Sequence, residues 1–431
     1  MPTRPVTSAP AEKPVEKPKL FDSYQIFIIA VISIVHFTVV LDFMVLSPLG
    51  AQLMRELDIT TTQFGLVVSA YAFSAGASGL LAAGFADKFD RKKILVFFYV
   101  GFIIGTFFCG IANTYTLLLI ARTFTGVFGG VMGSIGMAII TDHFPMQTRG
   151  RVMGLVMMSF SVSQILGIPI ALYLAGHYNW QMPFMLIVAM SIVTLIWVLM
   201  KMKPVTKHLE TKIDKHPIHH LFTTISNRTY MRGFGASALL SLGGFMIMPY
   251  SSAFLVENVG IDEVNELPII FMVSGLFSMV AGPLIGKLSD RFGKFNLFVY
   301  GSMLSAIMIV VYTSMGVWPL MLVLLVNVML MFGITARMIS ASALLTGLPD
   351  LPDRGAFMGV NSSLQQIAGG VASVLGGMIV SRGANGQLQH FDWIGWITLI
   401  TMIVCAVIFK WIDRYVANRP ASSPAIVAVE H

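Results

Sequence analysis

The sequence predicts an all-α membrane protein: twelve transmembrane helices in two pseudo-symmetric six-helix bundles. Three observations predict it. Apolar residues make up 56% of the 431 and charged residues 11%, with a mean hydropathy of +0.79, a balance outside the range of soluble globular chains. Twelve stretches reach the roughly 20 apolar residues that a spanning helix needs. A polar connection at 202–228 divides those stretches six and six.

The opening "MPTRPVTSAPAEKPVEKPKL" is rich in Pro and Lys and has no apolar run, so residues 1–22 read as a flexible polar tail without a cleavable signal peptide. Spans follow at roughly 24–53, 61–84, 94–113, 115–141, 152–176 and 182–201, giving a first bundle over 23–201. The connection "MKPVTKHLETKIDKHPIHHLFTTISNR" reads as a linker. Its His216, His219 and His220 lack a second ligand cluster, so it reads as solvated surface with no metal. The second bundle, 229–413, takes spans at 229–257, 267–287, 296–316, 319–346, 356–381 and 392–412, before a tail at 414–431.

Charge sets the expected orientation. Of the 28 Lys and Arg, loops opposite the N-terminus hold only Arg55 and Arg382, and two more, Arg122 and Arg337, lie within spans. The rest, including Lys88, Arg91, Lys92, Lys93, Arg149, Arg151, Lys287, Arg291, Lys294 and Arg354, fall on the side of the N-terminus. The positive-inside rule then puts both termini in the cytoplasm, in a multi-pass protein of a bacterial inner membrane. The net charge of +7 is dispersed over short loops and forms no patch for nucleic acid. Cys109 and Cys405 sit in separate apolar runs and read as two buried thiols.

The halves repeat. "ADKFDRKK" (86–93) answers to "SDRFGKFN" (289–296), which aligns Asp87 with Asp290 at an offset of 203. "RGRVMG" (149–154) answers to "RGAFMG" (354–359), and "SVSQILG" (161–167) to "SLQQIAG" (363–369). Parallel six-span repeats are related by an axis along the membrane normal and enclose a midplane cavity between them.

On these residues the chain resembles the major facilitator superfamily over nearly all of 20–415. "GKLSDRFGK" (286–294) is similar to that family's loop signature G-x-L-a-D-R-x-G-R-(R/K). The first copy has Ala83 and Asp90 where the signature has glycines, the residue that supplies positive φ without steric cost. The resemblance implies a conformational latch of Asp87, Arg91 and Asp142, with Asp290 and Arg291 its second copy. Such charges also anchor loops at headgroups. "RTFTGVFGG" (122–130) resembles the R-x-x-q-G pattern of span four, with Thr125 at the Gln position. Glycines 126, 129, 130, 133 and 136 make small-x-x-x-small steps suited to a close neighbouring helix.

Asp42 is the sole carboxylate between Ser23 and Met54 and the only one deep in any span. A charge at bilayer centre costs roughly 2.5–3.5 kcal/mol on insertion scales. Arg122 keeps its protons and needs a partner in the same low-dielectric interior. At about 1.5 Å per residue along each helix, the two reach comparable depth. A nearby guanidinium favours the carboxylate and removal from water favours the acid, so a proton switch is available. A permanently ionised structural pair, or capture of a cationic substrate by Asp42, are the other readings. In the drug:proton antiporter branch that the chain resembles, an acid in span one carries out proton exchange. The antiporter pattern G-x-x-x-G-P is replaced in span five by "SQILGIPIALYLAG", with Ser163 and Ile168, a run similar to sugar- and arabinose-efflux permeases.

Polar or aromatic residues stranded in spans, Tyr71, Gln164, Tyr250, Asn327, Asn361, Gln365 and Gln366, are candidates for the cavity. Interhelical hydrogen bonds account for Asn and Gln equally well. Arg337, near the cytoplasmic end of span ten, is expected to snorkel. The 31 Phe and 29 Met face lipid, fill helix interfaces or line an adaptable pocket. The expectation is therefore a proton-coupled secondary transporter exporting small organic, drug-like compounds as a monomer, with no cofactor. A sugar or metabolite permease and a non-transporting sensor are the alternatives. No H-E-x-x-H, G-x-S-x-G or G-x-x-x-x-G-K-(S/T) occurs, which argues against an intramembrane enzyme and ATP-driven pumping.

Overall fold

The computed structural model describes residues 21–85, 88–206, 209, 223–350 and 353–418. Within them eleven helices are long and apolar enough to cross a membrane. They are spans one (Ser23–Val45), two (Thr61–Ala82, its helix running to Phe85), three (Arg91–Gly110), four (Tyr115–His143), five (Met146–His177), six (Met182–Lys201), seven (Arg228–Val259), eight (Leu267–Phe292), nine (Lys294–Thr313), ten (Leu320–Leu345) and twelve (Phe391–Ala417). Span eleven, Arg354–Ile379, has the same build, but Asn361, Gln365, Gln366 and a run of Ser and Gly dilute its apolar content. Those small and polar residues suit a helix packed against protein along much of its length.

Span one ends earlier than its apolar run. The helix stops at Val45, turns over 46–49 and resumes as a short helix, Gly50–Glu56. Pro48 has no N–H to donate and its ring clashes with a continuing helix, which accounts for the break. Asp42 consequently lies in the last turn of the span. Span five contains a π-helical turn at Ser163–Gly167, and span seven ends in another at Leu255–Val259.

Span four packs against span two through glycine. A β-carbon at Gly126 would lie 2.5 Å from the Tyr71 carbonyl oxygen, and one at Gly130 would lie 2.5 Å from the Ala75 α-carbon. The two loop signatures solve the same turn differently. Gly293 adopts φ 86°, whereas Asp90 keeps φ −57° and caps span three by accepting from the Lys92 and Val205 amides at 2.9 Å each. A carboxylate cap thus replaces the conformational freedom of glycine.

Most of the described Lys and Arg lie on the face where span one begins, here the basic face; the opposite, far face has only Arg55 and Arg382. One continuous apolar core fills the first bundle and the far half of the second. The basic half of the second bundle has separate clusters around Phe234, Phe298 and Phe357 and around Ile285 and Ala336. The bundles are therefore fused toward the far face. Spans two and eleven form one seam, where Gly76 and Gly79 admit Ser363, and spans five and eight form the other, where Gly275 admits Gln164 and Ile165.

Candidate functional site: a buried ion pair and a neutral cavity

Asp42 and Arg122 meet. The Arg122 Nη1 donates to Asp42 Oδ2 at 2.7 Å and to the Asp42 backbone oxygen at 3.3 Å, with Asp42 wholly buried and Arg122 1% exposed. Thr106 of span three donates its hydroxyl to the other carboxylate oxygen at 3.2 Å. Tyr71 of span two lies beneath the guanidinium, its ring centroid 4.6 Å from the Arg122 central carbon. Four spans thus converge on one charge pair. The Arg122 Nε is left without a partner. Thr125, at the Gln position of the motif, turns its hydroxyl back to the Ala121 carbonyl at 2.8 Å and does not reach Asp42. Breaking a buried pair of this kind by removing one member costs about 3–5 kcal/mol, because the survivor is stranded.

A second feature lies in the basic half of the second bundle. A cavity of about 220 Å³ is lined by Leu240 of span seven, by Met338, Ser342 and Leu345 of span ten, and by Met358, Asn361, Ser362 and Gln365 of span eleven. Its lining is amphipathic and carries no charge. Asn361 is 4% exposed and its Oδ1 has no partner, so an acceptor is left for a guest.

The remaining candidates fall elsewhere. Tyr250 donates to the Ser373 carbonyl at 2.7 Å and touches the Thr61 carbonyl at 3.4 Å, which places it in the seam between bundles and away from the cavity. Gln164 sits in the π-turn of span five against Gly275, with Oε1 unpartnered. Asn327 accepts from Ser274 at 2.9 Å, an ordinary interhelical bond. Arg91 Nε lies 3.4 Å from Asp142 Oδ2. Asp87, the third member of that expected latch, lies outside the described residues, as do His216, His219 and His220. Asp290 and Arg291 are exposed, and Arg291 rests over the Phe292 ring at 5.6 Å. Arg337 departs from expectation: it is 5% exposed and does not snorkel. Phe298 and Cys405 cover it, the guanidinium carbon 5.8 Å from the Phe298 ring centroid, and its Nε is unpartnered.

Sequence reading missed the far-face tie. Arg55 pairs with Glu257 at 2.9 Å and with Glu263, and Arg382 pairs with Glu257 at 3.1 Å. The two far-face arginines thus share one acid, and Arg55 crosses from the first bundle to the second. Around them Ser47 donates to the Met248 carbonyl, Thr61 to the Gly377 and Val380 carbonyls, and Thr62 to the Gly377 carbonyl. The signal available was that Arg55 and Arg382 stand alone as bases on a face that also has Glu257, at the end of span seven, and Glu263 in the loop after it. Outside the membrane, Asp262 in the same loop is held below the usual carboxylate range by the Asn265 and Val264 amides.

The first bundle thus holds a buried charge pair and the second a neutral pocket, in the fold of a polytopic membrane protein. The profile of the Major Facilitator Superfamily matches residues 32–350 and again 234–429, and the chain belongs to that family. It is 26% identical over 372 residues, 84% of this chain and 89% of the relative, to the MFS-type transporter YtbD of Bacillus subtilis. It is 29% identical to Multidrug resistance protein 3 of the same organism over 35% of this chain and 30% of the relative. Over 57% of this chain and 61% of the relative it is 22% identical to the putative transporter AraJ of Escherichia coli. In fold it matches a bacterial homolog of the human lysosomal transporter Spinster, inward-facing and occupied, with a TM-score of 0.72 at 14% identity, over 91% of this chain and 98% of that one.

Proposed function

We propose that this transporter couples the efflux of small, amphipathic organic compounds to proton entry, by alternating rotation of the two bundles relative to one another. The single observation that carries the reading is the Asp42–Arg122 pair, the only pairing of opposite charges fully buried within the spans among the described residues. Charge deep in a bilayer is costly and marks ion or proton pathways. A unit pH gradient supplies about 1.4 kcal/mol per proton. Because proton and substrate bias the same equilibrium between conformations, one moves against the other.

Further support comes from the cavity, whose neutral, Met-bearing wall suits an amphipathic guest. The drug reading also draws on the partial likeness to Multidrug resistance protein 3. We assign the basic face to the cytoplasm of a bacterial inner membrane, with both termini there and the protein a monomer. Fused far halves and a cavity in the basic half then correspond to a cytoplasm-open state. Arg91 and Asp142 serve as part of a latch that closes that side. The span-five run "SQILGIP", with its π-turn, supports a second reading, a sugar or metabolite permease of the same fold.

The test is a pH-dye assay in proteoliposomes, adding candidate compounds to wild type and Asp42→Asn. Compound-dependent proton movement in wild type and its loss in Asp42→Asn are expected. Equal substrate flux without a proton signal in both would remove the antiport reading.

A further inference from the structure

We propose that Phe43 is a positioning residue that transmits the charge state of the Asp42–Arg122 pair to the seam between the bundles. This rests on the proton-coupled reading above. Phe43 follows Asp42 directly in the chain and is only half-buried. Its ring lies 5.5 Å from that of Tyr71, the residue beneath Arg122, and 5.9 Å from that of Phe245 in span seven. Tyr71 belongs to the first bundle and Phe245 to the second. Phe43 therefore touches both the aromatic support of the ion pair and the opposite half of the molecule.

The contact continues into the seam. A β-carbon at Gly369 of span eleven would lie 3.0 Å from the Phe245 ring, and Ser373 donates to the Phe245 carbonyl at 3.4 Å. Ser373 is in turn the acceptor for Tyr250. An unbroken set of packed groups thus runs from the carboxylate to the far-face closure.

The physical step is a redistribution of one cation. With Asp42 ionised, Arg122 is held both by the carboxylate and over the Tyr71 ring. Protonating Asp42 removes the first attraction and leaves the second, so the guanidinium and Tyr71 settle anew. Tyr71 has little slack, since its hydroxyl would lie 2.5 Å from a β-carbon at Gly129 and its carbonyl 2.5 Å from one at Gly126. Displacement passes to Phe43, and packed interfaces respond by switching between arrangements instead of deforming smoothly. The titratable or charged groups facing the pair from neighbouring spans are Tyr71 and Cys109. The buried faces of spans five and six against span one carry none.

The experiment uses the full chain in lipid nanodiscs with spin labels at Asn179→Cys and Asn385→Cys, exposed far-face positions on the first and second bundles. Cys109 and Cys405 are wholly buried and stay unlabelled. Pulsed dipolar distances report the ratio of far-face-closed to far-face-open molecules between pH 5 and 8. In wild type that ratio changes by up to about tenfold per pH unit, the limit for one linked proton, and in Asp42→Asn it is flat. Phe43→Leu is expected to hold the change below about twofold over the whole range, and Phe43→Tyr to restore it. Should Phe43→Leu fail to fold, Phe245→Leu carries the same expectation. A wild-type response in the folded Leu variant overturns the role of Phe43 and leaves proton coupling standing. A wild type indifferent to pH overturns both.

Discussion

Eight residues into span four the first bundle places Arg122, and eight residues into span ten the second places Asn327. The first is locked to a carboxylate at 2.7 Å, the second accepts a hydroxyl from Ser274 at 2.9 Å. Backbone architecture was duplicated and electrostatics was not. The second bundle does hold a buried arginine, Arg337, but it lies deeper along span ten, under Phe298 and Cys405, with no carboxylate paired to it among the described residues. On the function proposed above this is a division of labour: one half would store a switchable charge, and the other would offer a neutral wall where an organic guest leaves its water without meeting a fixed ion. A carboxylate in both halves would double the desolvation cost with no second arginine at the matching position.

That comparison is broken most sharply at the pair itself. Arg122→Met should destabilise the protein by about 3–5 kcal/mol by stranding Asp42, and the double variant Asp42→Asn/Arg122→Met should recover most of the loss. Thermal unfolding in detergent measures both; strict additivity of the two single losses would show that the residues do not act as a pair. The halves can next be contrasted at their matched turns. Gly293→Ala should cost about 1–3 kcal/mol because its φ of 86° with ψ of 143° is reserved for glycine, whereas Asp90→Gly should cost a few tenths, cap for cap. Equal losses at the two sites would mean that the turns are not solved differently. The smallest effect concerns the join. Arg55→Gln removes partly exposed ion pairs worth about 0–1 kcal/mol, enough to shift the far-face equilibrium up to about fivefold toward open, less at high salt. Far-face labels that report no shift even at low salt would reduce the tie to loop anchoring.

How much of this was legible varies with the kind of residue. Asp42 and Arg122 were readable as partners because unlike charges stranded in lipid at similar depth have few other ways to be satisfied. Asn361 and Gln365 were readable only as candidates, and Tyr250 was placed in the cavity group while the fold uses it in the seam, since neutral polar groups accept any nearby carbonyl. Arg337 misled because distance from a helix end does not reveal that Phe298 roofs it. Thr106 and Phe43 carried no signal: each is an ordinary membrane residue until a neighbour arrives. The Arg55–Glu257 pair spans 202 positions, far beyond any local pattern.

From the sequence by itself came the expected number of spans, their division six and six, the repeat, the expected sidedness and the need for a counterion near Asp42, because hydropathy, length and charge act locally along the chain. Only the tertiary structure decided which faces meet, that the far halves share a core, that Asp90 caps where Gly293 bends, and that four spans deliver their side chains to one carboxylate. Those outcomes depend on close packing between residues remote in sequence, where a few tenths of an ångström at a glycine or a ring determine which contact forms.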